Sequence, residues 1–113
     1  MGETIFAKII AGEIPADIIY EDDSCVAFRD ANPQAPVHLL VVPRKPIERL
    51  QTMNTEDEGL IGHIHSVITQ LVEQEKIADA YRVVVNSGSG AGQTVFHLHF
   101  HVLGGRSLSW PPG

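Results

Sequence analysis

The stretch Phe96-His97-Leu98-His99-Phe100-His101-Val102 alternates apolar and imidazole side chains without a break. On an extended strand, alternate side chains share a face. Phe96, Leu98, Phe100 and Val102 then form a core-facing row, and His97, His99 and His101 a row on the opposite face. Neighbouring imidazoles would stand about 6.5–7 Å apart along such a strand. This predicts a final strand over 95–103, one side buried and the other carrying chemistry.

The rest of the chain reads as elements able to surround that strand. Residues 5–11 form a short helix, with Thr4 as its cap and Gly12 as its stop. Ile18-Ile19-Tyr20 and Cys25-Val26-Ala27-Phe28 flank the turn residues Asp22-Asp23-Ser24, which predicts a hairpin. Residues 38–42 form a strand ended by Pro43. Apolar residues at 60, 61, 64, 67, 68, 71 and 72 give the period of an amphipathic helix, with Thr55 and Glu58 as a capping box. Residues 81–86 form another strand, and Ser87-Gly88-Ser89-Gly90-Ala91-Gly92 a loop. Short connections favour antiparallel neighbours. The expected class is α+β: a five-stranded antiparallel sheet with a long helix and a short N-terminal helix, as one domain over 1–113.

Composition narrows the partners. The 113 residues include 8 basic and 14 acidic side chains, a net charge of −6. Such a surface repels nucleic acid backbones and anionic membranes, so neither is expected as a partner. Local donors must hold any phosphate. The one cysteine, Cys25, permits no internal disulfide, fits a reducing compartment and reads as a core thiol. No apolar run is long enough to span a bilayer, and residues 1–4 show no leader pattern. A cytoplasmic protein is expected.

Three chemistries fit the histidine row. It could be a solvated strand face. It could hold a metal, since imidazoles at i and i+2 can share zinc, although a third at i+4 begins about 13 Å from the first. It could be nucleophilic: a neutral imidazole attacks phosphorus while a flanking one donates a proton. Asn86, the Gly/Ser loop, Gln93 and Thr94 lie immediately upstream and supply anion donors, which suits the third chemistry.

His97-Leu98-His99-Phe100-His101-Val102-Leu103 also resembles the histidine triad motif. The resemblance extends to residues 5–15, to Pro33-Gln34-Ala35-Pro36-Val37-His38, to Val84-Val85-Asn86, and to the ending Gly104-Gly105-Arg106 with Trp110-Pro111-Pro112-Gly113. The chain is similar to the Hint branch of the histidine triad (HIT) superfamily. That resemblance implies a phosphoramidase acting on purine nucleoside 5′-monophosphates that carry an amine, and a homodimer whose sheets join into ten strands. No cofactor is required for that chemistry, because the nucleophile is an imidazole and the donors are protein groups; adventitious zinc is possible.

The resemblance also implies roles. His99 is the nucleophile, His97 and His101 its flanking supports, and His38 a proton-relay partner. Asn86, Gln93 and Thr94 hold phosphate oxygens together with His99 and His101; Thr94 stands where the branch often has serine. Asp30 binds ribose hydroxyls. Ile5, Phe6, Ile9, Ile14, Phe28 and Ala31 line the base slot, with Ala31 smaller than the residue common there. Trp110 reaches the partner subunit's site. His63 and His65, on the long helix, read as surface or interface residues. Two alternatives stand beside this reading: a dinucleoside polyphosphate hydrolase, and a nucleotide- or zinc-binding scaffold whose hydrolysis is incidental.

Overall fold

Alternation along the central strands decides which side of the sheet carries the site. The computed structural model describes residues 3–113. Met1 and Gly2, which fall within residues 1–4 and the expected 1–113 domain considered above, lie outside the described residues. The elements are α1 (Ile5–Ile10), β1 (Ile18–Glu21), β2 (Cys25–Arg29), β3 (Val37–Pro43), α2 (Glu58–Gln74), β4 (Tyr81–Val84) and β5 (Phe100–Gly104). The five strands form one sheet in the order β1-β2-β3-β5-β4, and every neighbouring pair is antiparallel. The α+β expectation holds.

Odd-numbered residues of β2 and β3 (Cys25, Ala27, Leu39, Val41) face α2 and pack with Ile64, Val67, Ile68 and Leu71. Even-numbered residues (Val26, Phe28, Leu40, Val42) face the other way and pack under Phe6 and Ile9 of α1. On β5, Phe100 and Val102 join the α2 side. His101 lies opposite Leu40 in the ladder and so belongs to the α1 side, as does His38. The sheet is thus a partition, with a thick core on one face and a thinner one, capped by α1, on the other.

Local chemistry fixes α1 at both ends. Thr4 Oγ1 accepts from the Ala7 N–H at 3.1 Å. Gly12, at φ +78°, lets its own N–H reach Ile9 O and that of Glu13 reach Lys8 O, the paired bonds of a Schellman stop. These two caps compensate for the helix being only six residues long.

Several boundaries differ from expectation. The last strand begins at Phe100, not Val95. The Leu98 N–H instead reaches Ile47 O at 2.7 Å, so the chain leaves the ladder before the histidine stretch is complete. Phe96 is 40% exposed and does not join the core row. β4 stops at Val84, where it pairs with His101. The long helix is preceded by a 3-10 turn over Thr55–Asp57, and Asp57 accepts from the Asn54 N–H at 2.9 Å. The N-terminal bracing therefore uses Asn54 and Asp57, one residue earlier than the Thr55 and Glu58 box.

Candidate active site

Each triad ring has a distinct set of partners, and those partners assign its protons. The Gln34 N–H donates to His38 Nδ1 at 3.0 Å, which leaves the ring proton of neutral His38 on Nε2. That Nε2 lies 2.9 Å from His101 Nδ1 and 3.4 Å from Asp30 Oδ2. His101 therefore accepts at Nδ1 and carries its own proton on Nε2. His99 Nδ1 lies 2.8 Å from the His97 carbonyl, which can only accept. The proton of His99 is on Nδ1, and its Nε2 presents a bare lone pair. The Phe6 ring meets the His99 ring edge-on, with centroids 4.9 Å apart, and fixes its plane.

Burial lowers the basicity of all four rings. It pushes His38, His97 and His99 below the ordinary imidazole value, against partial opposition from Asp30 at His38, from the Pro43 carbonyl at His97, and from the His97 carbonyl and then Asp30 at His99. His101 is pushed down to about 4, chiefly by burial and further by His99 and His38. At neutral pH the rings are uncharged. His99 thus holds its lone pair free for attack, at the cost of a weaker base.

His99 and His101 open onto a cleft of about 690 Å³ under α1. Its walls include Ile5, Phe6, Ile9, Ile14, Phe28, Asp30, Ala31 and Thr94, all singled out from the sequence. Leu40, Val95, Arg29 and the segment 15–17 also line it and were not anticipated. Leu40 was legible in principle: it lies opposite both Phe28 and His101, so any pairing that aligned those two would have placed it between them. Asp30 Oδ1 accepts from the Asn32 N–H at 2.8 Å, while Oδ2 faces His38.

Three sequence-predicted residues lie elsewhere. His97 is buried, but its ring turns away: Nε2 donates to the Pro43 carbonyl at 2.7 Å. It lines a separate cleft of about 490 Å³ with Thr4, Ala7 and Ile10, on another side of α1. The strand alternation fails here because residues 95–99 are not in the ladder. What His97 contributes to the cleft is its carbonyl, which orients His99. Gln93 is only 2% exposed, with its amide committed to backbone. Oε1 accepts from the Gly88 N–H at 2.8 Å, and Nε2 donates to Glu48 O and Val95 O, both at 3.0 Å. It staples the Gly/Ser loop and does not line the cleft. Asn86 also lies outside the lining; a Cβ placed on Gly92 would sit 3.8 Å from its Nδ2, which puts its amide beside the loop.

Trp110 is 83% exposed, beside Val83, Val84 and Val85 at the β4 edge. His65 is exposed on α2, stacked edge-on against Phe100 with centroids 5.4 Å apart. Arg106 Nε donates to Gln34 O at 3.1 Å, bracing the loop that bonds His38. Among the described residues, no helix is long and apolar enough to cross a membrane.

The α+β sheet thus carries an apolar cleft lined by two imidazoles, one of which is hydrogen-bonded to a third behind it. Residues 11–108 match the family model for the HIT domain. The chain is 56% identical over 111 residues to an uncharacterized HIT-like protein of Synechococcus elongatus, covering 98% of this chain and 97% of that one. It is similar to a solved HIT family hydrolase from Legionella pneumophila, at 45% identity and a TM-score of 0.96, covering 98% of this chain and 100% of the other. It is also similar to a histidine triad nucleotide-binding protein from Candida albicans, at 30% identity and a TM-score of 0.83, covering 96% and 83%. The chain belongs to the histidine triad family, and its likeness to HIT family hydrolases supports hydrolysis as its chemistry.

Proposed function

We propose that the chain is a Hint-type nucleoside phosphoramidase, which hydrolyses purine nucleoside 5′-monophosphoramidates through a nucleotidyl-His99 intermediate. The observation that carries this reading is the unshared Nε2 of His99 at the floor of the cleft, with its Nδ1–H fixed on a carbonyl. The apolar walls from Ile5, Phe6, Ile9, Ile14 and Phe28 suit a flat base, and Asp30 suits ribose hydroxyls.

The reaction runs in two displacements. His99 Nε2 forms a bond to the α-phosphorus as the P–N bond breaks, and the amine leaves with a proton from His101 Nε2. Burial keeps His101 neutral in the free site; an arriving phosphate anion beside it favours the protonated form, so His101 takes up a solvent proton at Nδ1, displacing the hydrogen bond from His38 Nε2, and its Nε2–H becomes the acid. Water then bonds to phosphorus, the bond to His99 breaks, and the proton from water returns to His101. The Nδ1–H of His99, held on the His97 carbonyl, stabilises the positive ring of the intermediate. Thr94, at the rim, is a donor to the phosphate oxygens. No metal enters these steps.

The β4 edge, with Trp110 alongside, suits a homodimer that joins two sheets into ten strands and brings Trp110 near the partner's cleft. An unpaired strand edge is a ready template for pairing with a second copy. A cytoplasmic setting completes the proposal.

Turnover of adenosine 5′-phosphoramidate and an adenylated lysine analogue, measured against diadenosine polyphosphates, tests the substrate class. Preference for P–N cleavage by an order of magnitude or more in kcat/KM is expected. The reverse preference favours the polyphosphate alternative, and no turnover of either favours a binding scaffold.

A further inference from the structure

Away from the cleft, the β1–β2 turn and α2 bring a second set of donor atoms together. A carboxylate oxygen of Asp22, the Sγ of Cys25 and a ring nitrogen of His63 all lie within 4.8 Å of one another. They come from three different elements: the turn, the first residue of β2, and the second turn of α2. We propose that Asp22, Cys25 and His63 form a zinc site that pins the β1–β2 hairpin to α2.

The carboxylate is already oriented for this. Asp22 Oδ1 accepts from the Ser24 and Cys25 N–H groups, both at 2.8 Å. Oδ2 takes the Tyr20 hydroxyl at 2.7 Å and faces His63 Nε2 at 2.7 Å. Zinc bonds of about 2.0–2.3 Å in tetrahedral array separate ligand atoms by roughly 3.3–3.8 Å. An entering ion must therefore open the Asp22–His63 approach by under about 1 Å. The His63 side chain is 42% exposed, so its ring can swing without disturbing packing, and it gives the ion a route from solvent. Cys25 is fully buried on the inner side.

Charge and ligand softness select the ion. One carboxylate, one thiolate and one neutral imidazole balance a divalent cation, which a partly buried position requires. Thiolate with imidazole favours zinc over magnesium or calcium. Burial and Asp22 push the Cys25 thiol up to about 12, so it is protonated without metal. On binding, the S–H proton leaves to solvent as the S–Zn bond forms, and His63 carries its remaining proton on Nδ1. Arg44 is the nearby cation that opposes binding. Its Nε is engaged by Asp22 O at 2.7 Å and its Nη2 by Glu21 at 3.0 Å, so its charge is already paired. A water completes the fourth position.

The second donor cluster, Asp30 with His38 and His101, belongs to the cleft and contains no sulfur. That difference makes the test specific, because Cys25 is the only cysteine in the chain. Cobalt(II) is titrated into the reduced, chelator-treated full chain. The expected result is one equivalent bound with a near-ultraviolet thiolate-to-cobalt band, displaced by zinc, together with a rise in Tm on adding zinc. Cys25→Ala abolishes the band. His63→Ala, on the exposed face of α2, folds normally and weakens cobalt binding at least tenfold. Cobalt that binds without the thiolate band, binding unaffected by His63→Ala, or no binding at millimolar metal overturns the proposal.

Discussion

Gln93 separates two accounts of the loop beside the triad. If its amide holds the loop, Gln93→Leu removes three hydrogen bonds and leaves the Gly88 N–H and the Glu48 and Val95 carbonyls without their partner. Each such bond contributes about 1 kcal/mol net, so the loss is about 3 kcal/mol. For a domain of this size, roughly 4 °C of Tm accompanies each kcal/mol, which predicts a drop of about 12 °C. Activity on a phosphoramidate falls in parallel, because Val95 and Thr94 wall the cleft and move with the loop. Thr94→Val is the control: it leaves Tm within about 2 °C but removes a donor at the rim, lowering kcat by roughly a hundredfold. Differential scanning fluorimetry and steady-state kinetics on both variants decide the matter. A Gln93→Leu protein that keeps its Tm and loses only kcat refutes the staple and restores Gln93 as a phosphate ligand.

The remaining expectations concern the triad and the tail. His99→Ala retains nucleotide binding by calorimetry and loses at least about a thousandfold in kcat; near-native turnover excludes the covalent route. A slow substrate should label His99 with an acid-labile, base-stable adduct, seen by mass spectrometry. Because burial lowers the four imidazoles, the unfolded chain binds more protons than the folded one between about pH 6.5 and 4. Stability is then complete above pH 6.5 and declines with acid through that window, and His101→Asn flattens the decline in Tm measured against pH. Removing residues 110–113 shifts the ratio of kcat/KM among amine leaving groups more than it changes cleavage of the best substrate; an unchanged ratio takes Trp110 out of the site.

The sheet, both helices and the apolar wall of the cleft were legible because each depends on a local period or on residues close in sequence. Val26, Phe28, Leu40 and Val42 reveal their shared face through simple alternation, once the strands are placed. What was not legible depends on distant carbonyls. Nothing near His97 in sequence announces that its ring will seek the Pro43 carbonyl, or that the Leu98 N–H will leave the ladder for Ile47. Gln93 looks like a free donor because its partners, Glu48 and Gly88, declare themselves only in the fold. The Asp57 brace was missed by one residue because a 3-10 turn precedes α2.

The early end of the β5 ladder has a chemical consequence. A strand running unbroken from 95 to 103 would place three equivalent imidazoles in a row, each with the same surroundings and no reason for one to be the nucleophile. Leaving the ladder at Phe100 makes them inequivalent. His101, still in the sheet opposite Leu40, is aligned with His38 on β3 and inherits a fixed tautomer from it. His99, just outside the sheet, is free to fold its Nδ1 back onto the carbonyl two residues earlier. His97, further out, is released to tie the segment to the end of β3 through Pro43. In the proposed reaction the same alternating sequence supplies a tether, a nucleophile and a proton donor, because only its last imidazole lies within the ladder.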